Sequence, residues 1–280
     1  MLKTRIITAV ALLAVLLPVL FFNNPIAFAV VVTVFFGAAT WESFRLFNPG
    51  SARALLISVF WTAAFCYGFF IAGQRSPVFW FAIGVLVWVM RFVPSLKIGL
   101  PPLESGANTL LSLTYAVALV ACFAAIVSLY RHSPAYLLSV MALVWIADIG
   151  AYFSGKAFGK RKLAPSISPG KSWEGAIGGG IAVLVIAALS IVLGGPALAD
   201  TFAVLVQARL GWAALAAILI VLVAASVVGD LFESQLKRRA GVKDSSKLLP
   251  GHGGVLDRID ALIPVLPLAA LINTLIDTWL

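Results

Sequence analysis

The chain has 280 residues, of which 62% are hydrophobic and only 11% charged, whereas soluble domains carry about a quarter charged residues. That excludes a soluble globular protein, and apolar runs that are continuous instead of alternating exclude a β-barrel. The formal net charge of +9 lies in short polar stretches between those runs, a pattern that suits anionic lipid headgroups and nucleotide phosphates.

Apolar stretches of roughly 18 to 25 residues, the length of a membrane-crossing helix, fall at 5–22, 26–44, 53–72, 77–94, 108–130, 135–155, 174–195, 211–233 and 259–279. The expected fold class is an all-α integral membrane protein of about nine transmembrane helices. Polarity divides the chain near residue 106. Residues 1–106 are spans with short loops, while 107–280 carry the ionisable intramembrane residues and two basic loops, 156–173 and 236–258. With the N-terminus inside, only Arg75, Arg131 and Arg209 of the 20 Lys and Arg residues fall on the far side. The positive-inside rule then puts the N-terminus and both basic loops in the cytoplasm and the C-terminus outside.

Lys3 and Arg5 precede an apolar run, and Ala27-Phe28-Ala29 resembles a cleavage site. The run is longer than a signal-peptide core, so it reads as a retained helix that turns at Asn23-Asn24-Pro25 into the next. Cys66 and Cys122 lie inside spans with no metal spacing and read as buried apolar residues. His132 reads as a solvated residue of an outside loop.

An ionisable group inside a membrane helix is costly and is therefore a candidate site. Asp148 shares a helical face with Tyr152, just before the first basic loop; its alternative is an interhelical hydrogen bond. In that loop Lys160, Arg161 and Lys162 read at least half as topology determinants. Ser168, Lys171 and Glu174 lie compactly at the start of the next helix, where donors and a positive helix end form an anion cradle. Further on, Asp230, Glu233 and Ser234 share one face, with Lys237 and Arg238 about a turn later. Hard oxygen ligands beside a phosphate-binding region favour Mg²⁺ on Asp230, the alternative being neutralisation by the downstream cations. The loop then closes with Pro250-Gly251-His252-Gly253-Gly254, whose backbone can approach an anion, followed by Asp257 and Asp260 at the next helix start. These two helix ends could converge on one divalent ion or two.

The run Ser234–Asp260, with Ser-x-Leu-Lys-Arg, Lys243-Asp244, Pro250–Gly254 and Asp257-Arg258-Ile259-Asp260 in register, resembles the signature of the phosphatidate cytidylyltransferase family. Asp148-x-x-Ala151-Tyr152, Gly159-Lys160 and Ser168-Pro169-x-Lys171-x-x-Glu174-Gly175 are similar to it too, so the likeness is close over 148–260. Two positions depart from it: Gly170, where the family often has Lys, and Ala261, where Ser is common. The resemblance implies Mg²⁺-dependent transfer of a cytidylyl group from CTP to phosphatidate, yielding CDP-diacylglycerol and pyrophosphate, by a homodimer in the cytoplasmic (inner) membrane. It implies Mg²⁺ on Asp230 and Asp257, with Asp260 and Asp148 in support. Lys237, Arg238, Lys243, Lys171 and Arg258 would hold phosphates, Asp230, Asp257, Lys237 and Arg258 forming the catalytic set. The amides of Gly253 and Gly254 would hold pyrophosphate, and His252 would donate to a phosphate oxygen or brace its turn.

A secondary transporter would place its carboxylates near the midplane of inverted repeats, not at helix ends in one half. A nucleic-acid binder would interleave cations with stacking aromatics, which are missing here. A CTP-dependent lipid kinase is the nearest alternative and would release CDP.

Overall fold

The computed structural model describes residues 10, 14, 16–22, 24–49, 53–73 and 77–279. Its helices are α1 (Pro25–Phe47), α2 (Arg53–Cys66, extended by a π turn over Tyr67–Ile71) and α3 (Val78–Val87, continuing through a π turn, Trp88–Phe92, into Val93–Ile98). Then come α4 (Gly106–His132), α5 (Pro134–Phe158), α6 (Trp173–Leu193), α7 (Phe202–Arg239), the short α8 (Leu256–Ile259) and α9 (Leu262–Trp279). A small antiparallel hairpin, β1 (Lys162–Ala164) with β2 (Ser168–Ser172), joins α5 to α6 and pairs Lys162 with Ser172 and Ala164 with Ser168.

Among the described residues, seven helices are long and apolar enough to cross a membrane, and Leu262–Thr278 is a shorter apolar one. The chain is thus a multi-pass, almost wholly helical membrane protein. Each expected span from 26–44 onward has a helical counterpart, while half of 5–22, along with Asn23, Arg75 and Leu280, lies outside the described residues. α7 begins earlier than the expected 211, because Phe202, Ala203 and Val206 bury an extra helical segment; Gly211, at φ 80°, breaks the helix where the span was expected to start.

The helix starts follow from capping chemistry. Asn24 Oδ1 accepts from the amides of Ile26 and Ala27, both at 3.0 Å, with Pro25 opening the helix. Ser105, Ser133 and Ser172 do the same for α4, α5 and α6, accepting from the amides of Asn108 (3.1 Å), Tyr136 (3.0 Å) and Gly175 (3.1 Å).

α4 is the central helix, with Leu111, Tyr115, Leu119 and Phe123 fully buried. It meets α3 and α7 in an aromatic cluster, where Phe232 lies 4.6 Å from Phe92 and 5.3 Å from Tyr115 between ring centroids. α5 and α6 approach to backbone contact: a Cβ on Gly179 would stand 2.5 Å from the Ala147 carbonyl oxygen.

Cross-links mark the two ends of the bundle. At one end Asn108 Nδ2 donates to the Phe47 carbonyl (2.8 Å), Gln235 Nε2 to that of Ser95 (3.0 Å) and Arg239 to that of Pro101 (2.8 Å). At the other, Tyr136 Oη donates to Asn273 Oδ1 at 2.6 Å, and His132 Nε2 pairs with Asp200 Oδ1 at 2.9 Å. His132 therefore ties the end of α4 to the segment before α7, and is not simply a solvated loop residue. Cys122 is buried and Cys66 half-buried.

Candidate active site

After α7 the chain turns at Gly241 and folds back over the helix ends towards α8, and two carboxylates hold this loop. Asp257 Oδ2 accepts from the Ser245 amide, the Ser245 hydroxyl and the Gly254 amide, each at 2.8 Å, and Oδ1 accepts from Lys237 Nζ at 2.7 Å. Burial raises the pKa of this carboxyl, but the Lys237 ammonium and the loop amides outweigh it and hold the group below its usual range. Lys237 also pairs with Glu233, one turn back and fully buried, so that Glu233, Lys237 and Asp257 form a row of alternating charge. Arg238, beside them, is exposed.

The second carboxylate is Glu42 of α1, fully buried. Its Oε1 accepts from Ser246 Oγ at 2.5 Å and the Val255 amide at 3.1 Å, and its Oε2 from the Leu256 amide at 2.6 Å, with Ser245 Oγ at 3.3 Å. Sequence reasoning passed over it, although an ionisable residue inside the expected span 26–44 was itself the signal. Glycine is required where the loop wraps both acids. A Cβ on Gly254 would stand 2.3 Å from Glu42 Oε1, and one on Gly253 (φ +87°) 2.6 Å from Asp257 Oδ2.

On the neighbouring face of α7, Asp230 Oδ2 pairs with Lys171 Nζ at 2.5 Å, while Ser234 Oγ donates to Oδ1 at 3.2 Å. The pair is about a quarter to a third exposed, with side-chain accessibilities of 26% for Lys171 and 30% for Asp230. Lys171 borders a cleft of about 460 Å³ whose wall also includes Asp148, Tyr152, Lys156 and Ser168. Asp260 lies beside Asp230 through its backbone: a Cβ on Gly229 would meet the Asp260 carbonyl oxygen at 2.4 Å. A second cleft, of about 700 Å³, is bordered by Lys243, Lys247, His252, Gly253 and Arg258. The buried Nδ1 of His252 has no partner among the described residues.

The expected site residues thus gather at one end of the bundle, in two neighbouring groups with several unforeseen pairings. Glu174, expected on substrate, turns to the hairpin and accepts from the amides of Lys160 and Arg161, both at 3.1 Å, and from Arg161 Nε at 3.1 Å. The Gly254 amide, expected on pyrophosphate, donates to Asp257. Among the described residues no three His, Cys, Asp or Glu side chains close around one point. Mg²⁺ is ordinarily held by one or two carboxylates completed by substrate phosphates and water; of the carboxylates expected on it, Asp230 is 30% exposed and could take that part, whereas Asp257 is 4% exposed with four donors on its two oxygens. The two ammonium groups, each seated on carboxylates, mark where cationic charge is already stabilised.

Residues 3–276 match the cytidylyltransferase family. The phosphatidate cytidylyltransferase of Haemophilus influenzae is 38% identical over 293 residues, covering 95% of this chain and 96% of that protein. That of Bacillus subtilis is 32% identical over 271 residues, 95% of each. That of Pseudomonas aeruginosa is 54% identical over 134 residues, 48% of this chain and 45% of its own length.

Proposed function

This chain belongs to the cytidylyltransferase family, and we propose that it transfers the cytidylyl group of CTP to phosphatidate, giving CDP-diacylglycerol and pyrophosphate. The observation that carries this reading is the meeting, at one end of an apolar bundle, of the Lys171–Asp230 and Glu233–Lys237–Asp257 charge rows with a cation-lined loop cleft. A lipid phosphate and a nucleotide triphosphate both need such a place.

A phosphomonoester has a second pKa of about 6 and is largely dianionic at neutral pH, so phosphatidate needs no protein base. Its phosphate oxygen forms a bond to the α-phosphorus of CTP; the bond from that phosphorus to the bridging oxygen of the β-phosphate breaks, and pyrophosphate leaves with the electron pair. The work of the protein is to bring two polyanions into line and to offset charge on the leaving group. Lys171 is the ammonium group assigned to a substrate phosphate, while Lys237, held between Glu233 and Asp257, fixes the loop that carries the neighbouring cations. Lys243, His252, Gly253 and Arg258 line the cleft assigned to the triphosphate, Ser168 lies in the wall of the cleft beside Lys171, and Arg238 is exposed at the end of α7. Mg²⁺ would be held by Asp230 together with substrate phosphates, with Asp260 and Asp148 in support, while Asp257 holds the loop and Lys237 in place beside it. When bound, that ion supplies positive charge at the α-phosphate and the departing pyrophosphate.

The Lys and Arg asymmetry supports a multi-pass protein of the cytoplasmic membrane with this site facing the cytoplasm, and the resemblance supports a homodimer. The test is pyrophosphate release by purified protein. It should need CTP, phosphatidate and a divalent cation together, and release at the same rate without lipid would contradict the reading.

A further inference from the structure

We propose that Glu42 is a positioning residue for the nucleotide: from the membrane helix α1 it clamps both stems of the 245–256 loop and so fixes the cations that receive the triphosphate. This rests on the assignment of CTP to the loop cleft.

The donors to Glu42 come from two separate places. Ser245 and Ser246 precede the loop tip, and Val255 and Leu256 follow it. One carboxylate therefore closes the loop at its base, while the tip carries Lys247 and His252 into the cleft shared with Lys243 and Arg258. Asp257 grips the same stems at Ser245 and Gly254. Asp257 also binds Lys237, whereas among the described residues the hydrogen bonds to the Glu42 carboxylate all come from the loop.

The chemistry requires a carboxylate. Each Glu42 oxygen accepts one backbone amide, Val255 on Oε1 and Leu256 on Oε2, and backbone amides cannot rotate away. A glutamine side-chain NH₂ would face one of those N–H groups in either orientation, leaving two donors opposed. A buried acid placed only for packing would have no such need for two matched acceptors.

The experiment compares purified wild type with Glu42→Gln, Ser246→Ala and the double variant, using Glu104→Gln, an exposed loop acid, as control. KM for CTP and for phosphatidate are measured separately, together with the rate of tryptic cleavage at Lys243 and Lys247. Glu42→Gln should raise KM for CTP by about tenfold or more, leave KM for phosphatidate within about twofold, and speed loop cleavage about fivefold or more. Ser246→Ala should raise KM for CTP about threefold, and the double variant should be little worse than Glu42→Gln, because both act through one clamp. Glu104→Gln should match wild type. An unchanged KM for CTP in folded Glu42→Gln, or equal rises in both KM values, would overturn the proposal. If Glu42→Gln does not accumulate as folded protein, Ser246→Ala decides on the same terms. If wild type makes no product from CTP and phosphatidate, the functional reading fails, and cleavage of the loop still tests the clamp: equal rates in wild type and Glu42→Gln would refute it.

Discussion

Asp257→Asn keeps the side-chain size and removes the charge on which the loop and Lys237 both depend. In the native arrangement four donors reach its two oxygens. Turned one way, the Asn NH₂ opposes the amides of Ser245 and Gly254; turned the other, it opposes the Lys237 ammonium and leaves one neutral carbonyl for three donors. The second orientation costs less, yet it still forfeits a buried charge-assisted hydrogen bond, worth about 1.5–3 kcal/mol, and weakens the remaining ones. Lys237 is left with Glu233 alone. A loss of about 3 kcal/mol in the reacting arrangement corresponds to roughly a hundredfold fall in turnover. The assay is the initial rate of CDP-diacylglycerol formation at saturating CTP in mixed micelles, normalised to protein that elutes as one folded species. Arg258→Lys is the comparison, since Arg258 is exposed and loses only its planar fork; it should fall less than Asp257→Asn. A rate for folded Asp257→Asn within about threefold of wild type would refute the reasoning.

The Lys171–Asp230 pair should act as a unit: Lys171→Ala and Asp230→Asn should each lower activity by at least about tenfold, and a double variant little worse than either single would be read from the same rates. Gly254→Ala would push a methyl to 2.1 Å from Ser245 Oγ and 2.3 Å from Glu42 Oε1, so it should abolish activity and expose the loop to trypsin while leaving the helices assembled, as circular dichroism would report. Single cysteines placed in 156–173 and 236–258 should both be labelled only from the cytoplasmic side of intact cells, and labelling of both from outside would reverse the topology.

Most of the helical frame was legible because apolar runs act locally along the chain, whereas the caps at Asn24, Ser105, Ser133 and Ser172 were not read from the sequence although their chemistry is local. The gathering of the candidate site residues at one end of the bundle could likewise be read from the density of charge there. What could not be read was which charge meets which. Lys237 looked like a cation awaiting phosphate, and its pairing with Asp257 spans a loop whose path depends on Gly253 and Gly254. Glu174 reads as a substrate contact by spacing, but the hairpin brings the amides of Lys160 and Arg161 to it first. Glu42 lies more than two hundred positions before its partners in the chain, and a lone acid in an N-terminal helix offers no local pattern to link it to them. These are long-range contacts, set by packing and not by periodicity.

In the proposed reaction the α-phosphate of CTP, and not the γ-phosphate, passes to the lipid. Parallel reactions of purified protein with phosphatidate and Mg²⁺, one with CTP labelled at the α-phosphate and one with CTP labelled at the γ-phosphate, decide it. A cytidylyl transfer puts α-label in the lipid as CDP-diacylglycerol and γ-label in released pyrophosphate. Label from the γ-phosphate in the lipid, with α-label left in soluble CDP, would contradict it and identify a lipid kinase.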